Sequence, residues 1–343
     1  MGDEKREVGD FILANVDTHS ADIAPFLVDT FGFSRTRANF YLDREVKKGT
    51  LIAFGKTRAK RYFLAGGNHI EFAIDITPDL KEDKLWEAYI KPMLNNCSEN
   101  VKRIANWGFH EIVNNAIDHS EGTKLWVAME VKNEKLSFSV LDNGIGIFKK
   151  IQNALKLESE RESILHLSKG KFTTDPENHS GQGIFFTSRM VGRFSIFSDD
   201  LYYSFQEEEW FLSSEKPETF GKGTAIRMHI PLTTTVMPKD ILDMYSDIET
   251  GFHRTKVAVA LSDNPNDPHN SRSQAKRLMA GLEKFTSVVL DFKDIKDVGQ
   301  AFVDEVFRVF KNENPGIKIE YINAGPDVDA MIKKGIADSK SRA

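Results

Sequence analysis

Over the first 64 residues, apolar positions recur at helical spacing three times and then switch to alternation. "EVGDFILANV", "HSADIAPFLVDTFG" and "SRTRANFYLDREVKKG" each space hydrophobic side chains three or four apart, which predicts three helices. Ser20 and Ser34 are the expected N-caps, and Gly32 and Gly49 the expected stops. "TLIAFGKTRAKRYFLA" then alternates as two short strands around a basic turn. From residue 69 onward the two periods mix. "HIEFAIDIT" alternates as a strand, while "DLKEDKLWEAYIKPML" and "NVKRIANWGFHEIVNNAIDHS" are helical. "TKLWVAMEVKNEKLSFSVLD" predicts a hairpin turning at Lys132 to Glu134. A polar, less regular stretch from Phe148 to His179 separates this hairpin from the helical "GQGIFFTSRMVG" and the strand-like "RFSIFSDD", "LYYSFQEE" and "GTAIRMHIPL". After the polar "PLTTTVMPKD", strands and amphipathic helices take turns, from "TKVAVAL" and "SRSQAKRLMAGLEKF" to "GIKIEYIN" and "DVDAMIKKGIA". A multidomain α+β protein is expected: a helical unit with a hairpin over 1–66, and an α/β sandwich over 67–235. A linker or domain edge over 236–253 and a small α/β domain over 254–343 complete it. The sandwich would carry a mixed, mainly antiparallel sheet with helices on one face.

With 46 basic and 51 acidic residues, net charge is −5, so bulk charge does not draw the molecule to a polyanion. Cys97 is the single cysteine, which excludes an internal disulfide and a multi-cysteine metal site. No apolar run approaches the roughly 20 residues that cross a bilayer, and "MGDEKREVGD" is polar rather than signal-like. A cytoplasmic protein without a membrane partner is expected.

Charge is nevertheless uneven. Between Ser34 and Arg61 stand nine basic residues, Arg35, Arg37, Arg44, Lys47, Lys48, Lys56, Arg58, Lys60 and Arg61, opposed only by Asp43 and Glu45. Three helices followed by a two-stranded wing, with a basic third helix, resemble a winged helix-turn-helix. That resemblance implies DNA binding: Arg35 and Arg37 near base edges at the start of the third helix, the other cations on phosphates. A basic face on a protein-interaction module has the same composition, so both partners stay open at this point. "GTLIAFGKT" imitates a P-loop, but five residues separate its glycines where that motif has four, and a strand-like run follows where a helix should open. It is assigned to the wing.

In "HEIVNNAIDHS", Glu111, Asn115 and His119 share one helix face, with Asp118 beside them, while Ile112, Val113, Ala116 and Ile117 can pack elsewhere. Such a stripe is either solvated surface or the wall of a site. Three further motifs follow in order: "LDNGIGI" with Asp142, Gly144 and Gly146; "HSGQGIFF" with Gly181 and Gly183 before a helix; and "FGKGTAIRM" with Gly221, Gly223 and Thr224 before a strand. Glycine pairs alone are weak signals. Taken together, residues 100–231 resemble the GHKL superfamily (Bergerat fold) of ATP-binding proteins, which includes gyrase, heat-shock chaperones, histidine kinases and mismatch-repair ATPases. The likeness is closest to anti-sigma-factor serine kinases, through Glu111, Asn115, Ala116 and His119 and through "FTTDPENHSGQG".

The resemblance implies a Mg-ATP site. Asp142 would accept a hydrogen bond from the adenine amine, with Thr224 supporting the pocket, and Gly144 and Gly146 would let backbone approach the nucleotide. Asn115 would be the Mg2+ ligand, and Glu111 would polarise a water or a hydroxyl for attack on the γ-phosphate. Gly181 and Gly183 would present amides to phosphates. A nucleotide lid would span 148–180, in which Lys169 and Lys171 are either phosphate partners or solvated loop lysines. His110 and His119 are expected to be structural or solvent-facing, with His119 able to hydrogen-bond near the phosphates.

Finally, "SVVLDFKDIKDVGQAFVDEVFRVF" resembles the core of a STAS-like domain, the fold of anti-sigma-factor antagonists. Those carry a phosphorylatable Ser at a helix start, where this chain has Val298, Gly299 and Gln300. The resemblances leave three functions open. The first is a DNA-binding transcriptional regulator switched by Mg-ATP binding and slow hydrolysis. The others are a serine/threonine kinase acting on a partner protein and a non-catalytic scaffold. A partner protein at the STAS-like domain and a homodimer are open under each of them.

Overall fold

The computed structural model describes residues 2–57, 60–173, 181–206, 209–213, 221–262 and 271–340. The first three helices are α1 (Gly2–Asn15), α2 (Ile23–Phe31) and α3 (Arg35–Lys48), followed by the antiparallel strands β1 (Leu51–Phe54) and β2 (Arg61–Leu64). Their apolar stripes converge: Val8, Ile12 and Val16 of α1 pack with Ile23 and Leu27 of α2, Tyr41 and Leu42 of α3, and Leu51 and Tyr62 of the strands. α3 starts where its cap predicts, with Ser34 Oγ accepting from the Arg37 amide at 3.2 Å, and ends at Gly49 with φ of 74°. α2 differs. Asp22 precedes it without a side-chain cap bond, and Ser20 lies in the preceding turn, where its carbonyl accepts from the Tyr62 amide at 2.8 Å.

The middle of the chain contains β3 (His69–Asp75) and α4 (Glu82–Leu85), the latter continued by a wide turn over Trp86–Ile90 and a tight one over Lys91–Leu94. α5 (Glu99–His119), capped by Ser98, precedes β4 (Lys124–Lys132) and β5 (Lys135–Asp142). The turn between these strands uses Asn133 and Glu134 at φ of 51° and 58°, the geometry of a tight hairpin. The stretch expected to be irregular from Phe148 instead forms α6 (Ile147–Leu155) and α7 (Glu160–Lys169). Phe148 and Ile151 anchor α6, and Ser163, Ile164, Leu165 and Leu167 anchor α7. α8 (Gly183–Met190), β6 (Arg193–Ser198), β7 (Leu201–Gln206), β8 (Glu209–Ser213) and β9 (Thr224–Pro231) follow. The expected linker holds α9 (Pro238–Tyr245) and the two-residue strands β10 (Ser246–Asp247) and β11 (Gly251–Phe252). The remainder is β12 (Arg254–Ala258), α10 (Arg272–Met279), β13 (Ser287–Asp291), α11 (Gln300–Asp304), α12 (Lys311–Glu313), β14 (Lys318–Ile322) and α13 (Pro326–Lys340).

These elements fall into two compact units. The first comprises Met1–Ile145, Val191–Asp199 and Glu218–Thr235. Its sheet runs β3-β4-β5-β9-β6, antiparallel throughout. Register aligns a row of buried side chains across all five strands: Ile70, Met129, Phe138, Met228 and Phe194. A one-residue slip of any strand would turn its member of that row away from the core. α5 packs on β5 and β9 through Ile104, Ala105, Phe109, Ile112 and Val113.

The second unit comprises Gly146–Met190, Asp200–Pro217 and Val236–Ala343. Its C-terminal part is a parallel sheet in the order β12-β13-β14, with α10 and α11 in the crossovers that parallel strands require and α13 following the last strand. Among the described residues no helix is long and apolar enough to cross a membrane.

Candidate functional site

The first unit assembles a polar site at the C-terminal end of β5. Asp142 closes that strand and is buried. Its Oδ1 accepts from the Gly144 amide at 2.8 Å and from the Thr224 amide at 3.3 Å. Among the described residues its Oδ2 accepts no hydrogen bond. Burial pushes the carboxyl upward from the usual Asp range, and the two amides pull it back. One oxygen is thus held in place while the other keeps its acceptor capacity.

Two close backbone approaches shape this corner. A Cβ on Gly144 would lie 2.0 Å from the Ser120 carbonyl oxygen, and one on Gly223 would lie 2.0 Å from the Asp142 carbonyl oxygen. Gly223 also sits at φ of 112°, open chiefly to glycine. The Ile145 amide donates to the Ser120 carbonyl at 2.9 Å, so the turn after Asp142 returns to the C-terminal end of α5. That helix carries Glu111 and Asn115 one turn apart, both half-buried, over buried Ile112, Val113 and Ala116. His110 packs against Trp86 and its Nδ1 lies 2.8 Å from the Asn106 carbonyl, a structural arrangement.

Three supports of this corner carry no signal in the sequence. Asn143 Oδ1 accepts from the Thr123 and Lys124 amides at 2.8 and 2.9 Å, which fixes the start of β4 beside the turn. The buried Ser198 donates its hydroxyl to the Gly223 carbonyl at 3.1 Å. Ser120 offers its carbonyl to Ile145. Each is an ordinary polar residue at an element's end, and only the folded contacts distinguish it.

Gly146, Lys169, Lys171, Gly181 and Gly183 belong to the second unit. Gly146 precedes α6 at φ of 88°. Gly181, at φ of 68°, lies so close to the backbone of Phe172 that a Cβ would meet its carbonyl oxygen at 2.2 Å. Gly183 opens α8, whose first-turn amides lack partners within the helix. The threonine pair expected in the lid lies partly outside the described residues, as does Arg58 of the basic segment.

The two lysines are not solvated loop residues. Lys169 is 2% exposed, and its Nζ donates to the carbonyls of Ala280 at 2.8 Å and Arg277 at 3.2 Å. Burial lowers its pKa to about 7, opposed by Glu283. Lys171 Nζ donates to the Lys284 carbonyl at 2.7 Å. Burial and the neighbouring Lys284 lower its pKa as well.

The basic segment is likewise partly paired. Arg37 meets Glu4, Lys48 meets Glu45 at 2.6 Å, Lys60 meets Asp43 at 3.1 Å and Arg61 meets Glu71 at 2.9 Å. Arg44 donates to the Lys5 carbonyl at 3.0 Å. Arg35, Lys47 and Lys56 are exposed and have no ion pair among the described residues.

Among the described residues no three His, Cys, Asp or Glu side chains gather as a metal site.

No relative was found among curated proteins. Among solved structures the chain is similar to the B-subunit of the DNA gyrase from Myxococcus xanthus, with 11% identity over 40% of this chain and 38% of that chain and a TM-score of 0.26. Residues 274–329 match the family described as a STAS-like domain of unknown function (DUF4325). Residues 108–234 match the family of histidine kinase-, DNA gyrase B-, and HSP90-like ATPases, a span that holds Glu111, Asn115, Asp142, Gly144 and Thr224. The chain therefore carries a GHKL-type ATPase domain and a STAS-like domain.

Proposed function

We propose that this protein is a DNA-binding regulator whose GHKL domain binds Mg-ATP at the Asp142 corner and hydrolyses it slowly. The observation that carries the nucleotide assignment is the division of labour at Asp142, one oxygen tied to two amides and the other left as an acceptor. An acceptor there pairs with the exocyclic amine of adenine and opposes the carbonyl that guanine places at that position. Glycines 144 and 223 keep the floor of the corner free of side chains. Asn115 would offer its side-chain oxygen to Mg2+, which when bound would neutralise charge on the phosphates. Glu111, one turn earlier on α5, would take a proton from an attacking water.

DNA binding is supported by the N-terminal helices. Burial of Ala38, Tyr41, Leu42 and Glu45 turns Arg35, Thr36, Arg37, Asn39 and Phe40 outward on α3, as a winged helix presents its reading helix. At the STAS-like domain, Val298 is buried and Gly299 precedes α11, so the position that carries a phosphoacceptor in antagonists has no hydroxyl. This favours a regulatory contact over self-phosphorylation.

Fluorescent-nucleotide titration and γ-labelled ATP test the assignment together. Asp142→Asn should weaken ATP binding by roughly 10- to 100-fold, the worth of a hydrogen bond to a charged group. ATP should be preferred over GTP, and free phosphate released by the wild type should fall in Glu111→Gln. Label transferred to protein would instead identify a kinase. Full ATP affinity in Asp142→Asn would remove the adenine contact.

A further inference from the structure

The five-stranded sheet of the first unit has a second face. Strand alternation turns the row of Ile70, Met129, Phe138, Met228 and Phe194 inward, and the residues beside them point to the opposite side. One outward row runs Ala73, Trp126, Leu141, Ala225 and Phe197. Trp126 is 40% exposed, although tryptophan is usually well buried. At the far end of the row the Arg227 guanidinium stands 5.3 Å from the Phe197 ring centre. Only Leu141 and Ala225 come between Trp126 and Phe197, so the two rings lie three strand spacings apart, about 14 Å.

Charge divides this face into two halves. The carboxylates Glu71, Asp75 and Glu130 stand on β3 and β4, where Arg61 meets Glu71 at 2.9 Å, Lys124 meets Asp75 at 3.9 Å and Lys132 meets Glu130 at 4.0 Å. The outward residues of β5, β9 and β6 include Lys135, Arg193, Arg227 and His229 and no carboxylate. Lys135 stands directly opposite Lys132, a like-charge pairing that costs a sheet stability. His229 shares a hydrogen bond of 2.8 Å between its Nδ1 and Ser137 Oγ. Burial first, then the charges of Lys135, Arg193 and Arg227, lower its pKa, so three positive charges converge around one ring.

We infer that the outer face of this sheet binds single-stranded nucleic acid, its bases stacked on Trp126 and Phe197 and its phosphates on Lys135, Arg193 and Arg227. Unpaired bases lie flat on aromatic rings whatever their sequence, while the backbone follows the cations beside them. Ala128, Ser139 and Ala225 are small, and they leave the space between the two rings open to bases. An acidic peptide would satisfy the cations, yet it gives no reason for an exposed tryptophan in the same row. A duplex keeps its bases stacked on one another and offers this face its phosphates alone. Asp142 shares the inward direction of Phe138 and Val140, so the nucleotide corner opens on the opposite side of the sheet. The site is therefore independent of the Mg-ATP assignment and of duplex binding by the N-terminal helices.

Fluorescence anisotropy of the full chain with a labelled oligothymidine tests it, beside a random-sequence duplex of the same length. Trp126→Ala should weaken oligothymidine binding by roughly 5- to 100-fold, the worth of one stacked base, and leave duplex binding unchanged. Trp126→Phe, which keeps a ring, should stay within about threefold of wild type. Changing Lys135 and Arg227 together to Ala should flatten the salt dependence of single-strand binding by about 1.4 in log K against log salt. No oligothymidine binding at about 50 mM salt, or equal affinity in Trp126→Ala, overturns the site. Equal losses for single strand and duplex in Trp126→Ala overturn it too. Displacement of oligothymidine by polyglutamate as readily as by unlabelled oligothymidine would assign the face to an acidic protein and overturn it as well.

Discussion

A Cβ built at Gly223 would stand 2.0 Å from the Asp142 carbonyl oxygen, and the residue holds φ of 112°. Both conditions exclude a side chain, and relieving either would pull the Thr224 amide away from Asp142 Oδ1. Gly221, two residues earlier, has nothing among the described residues within 4 Å of its would-be Cβ and no left-handed φ. Gly223→Ala should therefore destabilise the domain by about 2–3 kcal/mol and raise the nucleotide Kd at least about tenfold. Gly221→Ala should stay within about 0.5 kcal/mol of wild type and bind nucleotide normally. Urea unfolding and nucleotide titration of the two variants make the comparison, and equal behaviour would remove the corner's claim to a backbone-built floor. In the sequence the two glycines are indistinguishable members of "GKG". Asp142 is legible there because a strand pattern ends on it beside glycines. Ser198 is not, since a serine at a strand's end becomes meaningful only when its hydroxyl is seen to hold the Gly223 carbonyl.

Elements show the same division between local and tertiary causes. α3 is written in its own residues: Ser34 caps the Arg37 amide, Gly49 ends the helix, and Ala38, Tyr41 and Leu42 form its buried stripe. Ser34→Ala should cost about 1 kcal/mol in urea unfolding of the chain, the usual worth of such a cap. Ser20→Ala should cost almost nothing, because Ser20 contributes to the fold through its backbone carbonyl, which alanine retains. A loss at Ser20 equal to that at Ser34 would contradict this placement of the caps. Hydrophobic periodicity describes α6, where Ile147, Phe148, Ile151 and Leu155 recur at helical spacing within an otherwise polar stretch, but does not describe α7. Only Phe148 and Ile151 are buried on α6, which ends on Lys156 in the left-handed region rather than on a glycine. The buried face of α7 includes Ser163, Ser168 and Lys169. A lysine counts as solvent-facing in any pattern until the carbonyls that receive it are known.

At the scale of the molecule, charge is segregated: nine cations between Ser34 and Arg61 sit in a chain of net charge −5. Counting residues overstates what such a patch presents to a phosphate backbone. Glu4 and Glu71, both outside the segment, pair with Arg37 and Arg61, while Asp43 and Glu45 engage Lys60 and Lys48. Arg44 keeps its charge because its recorded partner is a carbonyl, and Arg35, Lys47 and Lys56 have no ion pair among the described residues. A duplex that meets chiefly these four and Arg58, which lies outside the described residues, should release counterions in proportion. The slope of log K against log salt should then lie between about −4 and −5, against about −8 if all nine cations made phosphate contacts. Fluorescence anisotropy with a random-sequence duplex between about 50 and 200 mM salt reads this slope directly. Changing Arg35 and Lys47 together to Ala should flatten it by about 2 and weaken binding to all duplexes alike. The same pair of changes in Arg37 and Arg61 should flatten it less, because both guanidinium groups must first leave a carboxylate. Salt-insensitive binding, or a slope untouched by Arg35→Ala with Lys47→Ala, would assign the N-terminal helices to a protein partner instead.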